Sequence, residues 1–458
     1  MCIRDSVKAI ILAAGKGTRM KSDLHKVLHK VYDRCIIDYV CDACQDADAS
    51  EIYIITGYKK EQVEEHVSKT RNNVKFCYQE NQLGTGHAVM QAEKYIEDDD
   101  LVVVINGDQP LISSQTIKSL VTFCNQGNYG GVVLSGIVDE PGSLGRVIRD
   151  NNGNLSRIVE KKDCNESEEK VKEVNIGVYC FNGKLLKDSF SKLDDNNAQG
   201  EYYITDIPAH IKKAGYNFGV YTMPDMSEFQ GVNSREELSI ATQTLLNKTR
   251  KLHMENGVTL IDPSNTYISI DAIIGKDTII YPGTNIQGET VIGDNCIIGP
   301  NSTIISSKIG NSTTVESSKI TDSVIGDNAL IGPFAHIRPK SNIGSECKVG
   351  SFAETKNVNI GVGTKIPHLI YTGDADIGNH VEIACGVITA NMNTKWEKNR
   401  TTIKDGAFIG CNSSLLAPVT IEENAIVGAG SVITESIPKN SLAIARAKQV
   451  TKENYLKK

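Results

Sequence analysis

A chain of 458 residues exceeds what one hydrophobic core organises and implies about two or three domains. Charged residues supply 23% and hydrophobic ones 40%, an ordinary globular balance. The formal net charge of −7, with no basic tract to offset it, excludes a general nucleic-acid surface, and no apolar run approaches the roughly 18 residues needed to cross a bilayer.

The opening run Met1 to Ser6 has no apolar centre, so it reads as no signal peptide. It also fits the following strand poorly and looks foreign to the native chain. Val7 to Ala13 is a continuous apolar run, the pattern of a strand buried on both faces. Ala14-Gly15-Lys16-Gly17-Thr18-Arg19-Met20 follows at once. Glycines there let backbone N–H groups approach phosphate, and Lys16 and Arg19 add charge. Met20 stands where a dinucleotide fingerprint needs its third glycine, and no Gly-Lys-Ser/Thr follows, so neither that motif nor a P-loop applies. Cys41 and Cys44 form the one close cysteine pair, in a segment that reads as helix. Without a second pair at zinc spacing, all twelve cysteines read as reduced cytosolic thiols.

Helical stretches at Glu61 to Lys69 and Ser114 to Cys124 alternate with strands, which predicts a mixed, largely parallel sheet. Gln79 to Ala88 is rich in amides and glycines able to read a base. The strand Leu101 to Ile105 ends in Asn106-Gly107-Asp108, and such a carboxylate edge is where an α/β sheet holds a metal against a nucleotide. The purely structural readings are a turn cap at Asp108 and a position before a helix cap at Asn233. Ser234 to Asn256 reads as one helix. Ser234 and Glu237 form a capping box, Leu238, Ala241, Leu245 and Leu252 share a face, and Gly257 ends it. At about 1.5 Å per residue this arm spans roughly 35 Å. The domain limits expected are 1–233, 234–256 and 257–458.

From Ile268 an isoleucine recurs at every sixth residue through Ile274, Ile280, Ile286, Ile292, Ile298 and Ile304. The frame resumes after a slip at Ile325, Ile331, Ile337, Ile343 and Val349. A third run is Ile403, Ile409, Leu415, Ile421, Val427 and Ile433. This period fits neither an amphipathic helix nor an ordinary strand. It fits a prism whose short strands each send one branched side chain inward while glycine and polar residues turn the corners. Phase is lost between Val349 and Ile403. Interruptions of a repeat become loops, and loops carry function. Chemistry is therefore expected at Lys356, His368, Tyr371 and the irregular Asn391 to Arg400 stretch with the single tryptophan, Trp396.

The repeat resembles the hexapeptide-repeat, left-handed parallel β-helix of acyltransferases, over about residues 262 to 437. Handedness and a trimer with sites between neighbouring prisms are implied by that resemblance, not by the period. In the first half, Leu12 to Met20, Gln82 to Ala88 and Gly107-Asp108-Gln109-Pro110-Leu111 resemble sugar-1-phosphate nucleotidyltransferases, an α/β class with a Rossmann-like mixed sheet. Gly145-Arg146, Val159-Glu160, Asn175-Ile176-Gly177, Gln199 to Asp206 and Gly231-Val232-Asn233 extend the match. Nearly the whole chain is thus similar to the bacterial bifunctional UDP-N-acetylglucosamine pyrophosphorylase and glucosamine-1-phosphate N-acetyltransferase family. The resemblance implies a cytoplasmic, Mg²⁺-dependent homotrimer that binds neither nucleic acid nor membrane and supplies UDP-N-acetylglucosamine for cell-wall polymers.

By the same resemblance, Asp108 and Asn233 hold Mg²⁺, while Arg19 and Lys26 contact the phosphates of UTP. Leu12, Ala13, Ala14 and Gly15 line the nucleotide site, and Gln79, Gly84 and Thr85 recognise uracil and ribose. Gly145, Glu160 and Asn175 bind the amino sugar. In the second half, the amine of glucosamine 1-phosphate must attack the thioester of acetyl-CoA. An ammonium cannot attack, so a base poised near neutrality is required, and histidine suits that task. The resemblance assigns it to His368. Arg338 and Lys356 clamp the sugar phosphate as cationic donors, with Tyr371, Glu382 and Lys398 beside them. Cys385, Asn391, Met392, Cys411, Gly428 and Arg446 fall at the acetyl-CoA positions.

Four departures stand out. His25 replaces the proline usual before Lys26, which predicts a looser loop. Glu382 replaces an asparagine, Cys385 a small residue, and Met392 a tyrosine. A carboxylate at 382 would pair with the substrate ammonium and hold it protonated, giving tighter binding and slower acetylation. Three other readings compete. One is a glucose-1-phosphate thymidylyltransferase with an orphan β-helix, against which Glu160, Asn175, Lys356 and His368 argue. Another is a nucleotidyltransferase whose β-helix is only a trimeric scaffold. The last is an acyltransferase with a regulatory nucleotide domain, disfavoured because Asp108 and Asn233 are both present.

Overall fold

A computed structural model describes residues 6–453, 455 and 456, so the reading of Met1 to Asp5 lies outside the described residues. The chain divides into two compact units, Met1–Leu245 and Leu246–Lys458.

The first unit is built on a mixed sheet. Its strands are β1 (Val7–Ala13), β2 (Glu51–Thr56), β3 (Val74–Tyr78), β4 (Leu101–Asn106), β5 (Gly131–Ile137), β6 (Arg146–Arg149), β7 (Leu155–Val159), β8 (Glu173–Asn182) and β9 (Phe218–Thr222). The main order is β9-β5-β8-β4-β1-β2-β3, with the β6–β7 hairpin attached to β8. β1 runs parallel to β2 and β4, whereas β8 is antiparallel to β4 and β5. The apolar run of β1 is explained by burial on both faces. Ala9, Ile11 and Ala13 pack beneath α1 (Ile36–Asp46) and the helix Ser114–Gln126. Ile10 packs on the opposite face with the helices Gly183–Phe190 and Ile207–Lys213. The expected helices thus appear, the first at Lys60–Thr70. Cys41 and Cys44 lie in the core, where burial pushes the Cys41 thiol up to about 12 and that of Cys44 higher still. The described cysteines are free, and no helix of the described residues is long and apolar enough to cross a membrane.

The long helix runs from Arg235 to Glu255, and Gly257 at φ +90° follows it. Ala241 and Leu245 are buried as expected, but Leu252 is 54% exposed. The buried stripe of the last turns passes instead through Thr249, Arg250 and His253. Arg250 Nε donates to the Thr266 carbonyl at 2.7 Å.

The second unit is a parallel β-helix with three short strands per coil. Ile268 pairs with Ile286 and Ile286 with Ile304, so one coil consumes three hexapeptides. The isoleucines form one continuous interior column, with Ile280, Ile286, Ile298 and Ile304 fully buried. The slip after Ile304 comes from five-residue steps to Ile309 and again from Val315 to Ile320 and Ile325. Contrary to the expectation from the sequence, phase is not lost after Val349. The inward positions continue through Thr355, Ile360, Ile366, Thr372, Ile377, Ile383 and Thr389, all buried. Threonine matches valine in shape and hides the repeat from a search for apolar residues. Its hydroxyl is satisfied locally at Thr389, which accepts from the Gly373 N–H at 2.8 Å and donates to the Gly373 carbonyl at 3.0 Å. The real interruption is confined to Asn391 to Arg400. Many corner residues are left-handed, among them Asp277, Asn295, Asn301 and Asn328, residue types that adopt this conformation most readily. At Gly386 the corner must be glycine, because a Cβ would come within 2.1 Å of Asn412 Oδ1.

Ile304→Ala is expected to lower stability by about 3 kcal/mol through loss of burial and the cavity left behind. The outward-facing Ile297→Ala should change it by no more than about 0.5 kcal/mol. Denaturant unfolding of the two variants measures the difference.

Candidate active sites

The first site forms where β1 and β4 end side by side, with Leu12 level with Asn106. Past β1 the chain turns through Gly15 and Gly17 into a short 3-10 segment at Thr18–Met20. Gly17 sits at φ +58°, and a Cβ there would lie 2.7 Å from Lys26 Cβ, so glycine lets the Lys26 segment close over the loop. Two adjoining cavities of about 440 Å³ and 270 Å³ share Leu12, Thr85, Asn106 and Asp108. The smaller is lined by Ala13, Ala14, Gly15, Lys26, Gln79 and Gly84. The larger is lined by Arg19, Gly145, Glu160, Asn175 and Asn233. Every residue expected in this site lines one cavity or the other.

At the junction, Lys26 Nζ lies 2.5 Å from Asp108 Oδ2 and donates to Asn233 Oδ1 at 3.0 Å. The ammonium rests between the two oxygens expected to hold a metal. A carboxylate and an amide oxygen that already converge on a cation suit a hard divalent ion, which completes its shell with water and phosphate oxygens. Asn233 is fixed by the start of the long helix. Its backbone N–H donates to Glu237 Oε2 at 2.6 Å, while Ser234 Oγ accepts from the Glu237 N–H at 3.2 Å. The expected capping box forms with its return bond moved one residue upstream.

On the smaller side, Gln79 Nε2 donates to the Gly84 carbonyl at 3.2 Å and meets His87 Nδ1 at 2.9 Å, which braces the base-reading loop. Gly84 packs so tightly on the Tyr202 backbone that a Cβ would lie 2.6 Å from its carbonyl oxygen. On the larger side, Asn175 Nδ2 donates to the Tyr179 hydroxyl at 2.7 Å and Oδ1 accepts from the Gly177 N–H at 2.9 Å. Glu160 accepts from the Thr205 hydroxyl at 3.3 Å. Its burial, chiefly, raises the carboxyl above the usual range.

Sequence reasoning gave no individual site role to Gln109, His25, Asn106, Gln82 or Glu201, all of which line these cavities. Gln109 Nε2 donates to the Ile176 carbonyl at 2.6 Å. Its Oε1 is buried in the larger cavity's wall without a partner among the described residues. Its place directly after Asp108 was the available signal. His25 does not loosen its loop. Its backbone N–H donates to Gln62 Oε1 at 2.9 Å, a bond proline cannot make. Burial, and after it Lys26, holds its imidazole down at about 4, hence neutral near physiological pH.

In the β-helix, expected residues fall into columns on successive coils. The Gly386 N–H donates to the His368 carbonyl, the Asn412 N–H to that of Cys385, and the Gly430 N–H to that of Cys411. His368, Cys385 and Cys411 therefore occupy one corner of three consecutive coils. A Cβ on Gly430 would lie 3.9 Å from Arg446 Cδ, so Arg446 continues that edge. The Gly428 N–H donates at 2.8 Å to the Ala443 carbonyl of the next coil. Arg338, Lys356 and Tyr371 lie along the other sheet in two neighbouring registers, not one column. Arg338 Nη1 donates to Glu354 Oε1 at 2.7 Å, Glu354 pairs with Tyr371, and Lys356 pairs with Gly373. Glycine at 373 leaves room for the Tyr371 hydroxyl, which a Cβ would meet at 2.4 Å.

Asn391 Nδ2 bonds Asp374 Oδ2 at 2.5 Å. From there the chain leaves the coil as a small hairpin in which Met392 bridges Lys398. Trp396 sits at its tip, 82% exposed. Arg400 pins the base with a bidentate grip on Asp376 at 2.6 Å and 2.7 Å, and this pair holds the Asp376 carboxyl below its usual range. Glu382 lies opposite Lys365, with Oε2 3.7 Å from its ammonium. A substrate ammonium is therefore not the only cation available to Glu382. Within this unit His368 closes a strand of one sheet, whereas Lys356 and Tyr371 belong to the other.

The two units define a nucleotidyl-transferring α/β fold followed by a hexapeptide-repeat transferase. A nucleotidyl transferase family model matches residues 8–227, and the bacterial transferase hexapeptide model (six repeats) matches 271–306, 322–357 and 400–435. The chain is 46% identical over 451 residues to the bifunctional protein GlmU of Clostridium acetobutylicum, covering 98% of both chains. Against that of Clostridioides difficile it is again 46% identical, over 98% of this chain and 97% of the relative. GlmU of a Geobacillus strain is also 46% identical, with the same coverage. The chain belongs to the GlmU family of bifunctional transferases.

A buried carboxylic acid whose folded-state pKa is raised favours the fold below the ordinary carboxylate range, and that contribution is lost as pH rises through the raised value. Glu160→Gln is therefore expected to raise the unfolding midpoint of the first unit at neutral pH, with the gain vanishing in mild acid. A gain of equal size at both pH values would place the effect elsewhere.

Proposed function

We propose that residues 257–458 acetylate glucosamine 1-phosphate with acetyl-CoA and that residues 1–233 transfer UMP from UTP to the resulting N-acetylglucosamine 1-phosphate. The helix 234–256 joins them. The observation that carries the second step is the convergence of Lys26, Asp108 and Asn233 where the two adjoining cavities meet.

In uridylyl transfer, a phosphate oxygen of the sugar phosphate attacks the α-phosphorus of UTP. The new P–O bond forms as the bond to the β-phosphate breaks, and pyrophosphate leaves. Repulsion among the phosphates is the main obstacle. Arg19 and Lys26 offset it, while the glycine-rich loop offers its N–H groups. Asp108 and Asn233 would hold Mg²⁺, which supplies charge neutralisation on the phosphates. Gln79, Gly84 and Thr85 orient uracil and ribose. Gly145, Glu160 and Asn175 hold the amino sugar.

In acetyl transfer, His368 accepts the proton released as the sugar amine attacks the thioester carbonyl, and CoA departs as its thiolate. Arg338 and Lys356 clamp the sugar phosphate, with Tyr371, Glu382 and Lys398 beside it. Cys385, Asn391, Met392, Cys411, Gly428 and Arg446 line the acetyl-CoA path. The placement of His368 on one sheet and Lys356 on the other supports a homotrimer, in which a neighbouring copy completes each site. The cytoplasm is the compartment in which these substrates occur.

Purified protein with Mg²⁺ is expected to release CoA thiol from acetyl-CoA and glucosamine 1-phosphate, and pyrophosphate from UTP and N-acetylglucosamine 1-phosphate. His368→Ala should lower the first activity alone by about 10² to 10⁴-fold, the usual contribution of a general base. Asp108→Ala should abolish only the second. Pyrophosphate release without thiol release would leave the β-helix as a trimerisation scaffold. Glu382→Asn is expected to raise both the acetylation rate and the KM for glucosamine 1-phosphate, and unchanged constants would remove the role given to its charge.

A further inference from the structure

Outside both sites, the described residues contain one group of three side chains with metal-ligating atoms within 4.8 Å of one another: Cys35, Asp38 and His66. We propose that these three bind a zinc ion, a site separate from the catalytic metal position. None of the three lines the catalytic cavities.

The fold brings them together. Cys35 is the residue before α1, Asp38 lies one turn further on the same face, and His66 projects from the helix Lys60–Thr70. His66 Nε2 stands 3.1 Å and 3.0 Å from the two Asp38 oxygens. Ligand atoms of a tetrahedral zinc site with bonds of about 2.1 Å lie about 3.4 Å apart, so the nitrogen–oxygen edge is nearly in place. The sulfur needs a shift of the order of 1 Å, a side-chain rotation, from its present place as donor to the Leu28 carbonyl at 3.2 Å.

The surroundings leave the carboxylate free for such a role. The neighbouring guanidinium groups of Arg34 and Arg71 both engage the Asp42 carboxylate, and Arg71 meets Asp38 only at its backbone carbonyl, at 3.1 Å. Asp38 is buried, so its hydrogen bond with the imidazole is shielded from solvent. The thiol is protonated without metal, since burial pushes it up to about 11. On binding, a sulfur–zinc bond replaces the sulfur–hydrogen bond and the proton passes to solvent. Thiolate and carboxylate together balance the charge of a divalent ion. A mixed sulfur, nitrogen and oxygen donor set selects zinc over magnesium. Three protein ligands leave the fourth position to water.

Full-length protein stripped with chelator, kept reduced and dialysed against Zn²⁺ or Co²⁺ alone tests this. The expected result is one equivalent retained per chain, with a thiolate-to-cobalt charge-transfer band in the Co²⁺ form. Both Cys35→Ser and His66→Gln should lose that equivalent and that band while keeping Mg²⁺-dependent pyrophosphate release. No retained metal in the parent protein would overturn the site. So would an undiminished equivalent and band in both variants, which would assign the ion to other thiols. If Cys35→Ser fails to fold, His66→Gln decides alone, because His66 is partly exposed and its replacement leaves the core intact.

Discussion

The interior of the β-helix takes two side chains from each face of each coil, one branched and one, two residues before it, usually small, and most of the second unit follows from that limit. Backbone pairing between coils fixes the rise, and the larger inward residue must be branched and compact. Ile286, Ile304 and Thr389 meet the requirement equally well in shape. Polarity matters less than volume here: the Thr389 hydroxyl bonds the neighbouring coil's backbone, that of Thr355 bonds Ser341 Oγ, and that of Thr372 has no partner among the described residues. Since the inside admits so little variety, chemistry is carried on corners and outer faces. His368, Cys385 and Cys411 occupy a corner, and Arg338 and Lys356 an outer face.

The first unit solves the opposite problem, gathering polar groups from distant points of the chain. Parallel strands deliver the ends of β1 and β4 to one edge, and the start of the long helix delivers Asn233. Amides such as Gln79 and Asn175 spend some of their bonding capacity bracing loops and present the remainder to the cavities. Groups held this way need little reorganisation when charge develops on a bound phosphate. The cost appears at Glu160, a carboxylate kept where water is scarce.

Much of this was legible from the residues. Long apolar runs gave β1 and β4, because a strand covered on both sides has no reason to alternate. The isoleucine period gave the prism, and family-like motifs placed the expected residues around the first site. What escaped notice has physical causes. Thr355, Thr372 and Thr389 kept the repeat running through residues that a search for apolar positions passes over. Five-residue steps after Ile304 shifted the frame while preserving the fold. The His25–Gln62 bond and the meeting of Cys35 with His66 join residues about thirty or more positions apart, and only tertiary packing creates them. At Leu252 the helix period put a residue on the shared face that the structure leaves exposed, because packing and not periodicity decides which face is covered.

The stacked corners also act as a ruler. Neighbouring strands lie about 4.8 Å apart, so the side chains of one column are graduated at that interval along the axis. His368 and Cys411, two coils apart, mark a span of about 10 Å by the same spacing. A long ligand laid against this edge would be read at discrete heights. Inserting or deleting one coil would move every contact beyond it by a full graduation, whereas a corner loop such as the Asn391 to Arg400 hairpin can lengthen without disturbing the scale. The geometry separates how far a ligand reaches from what it meets there.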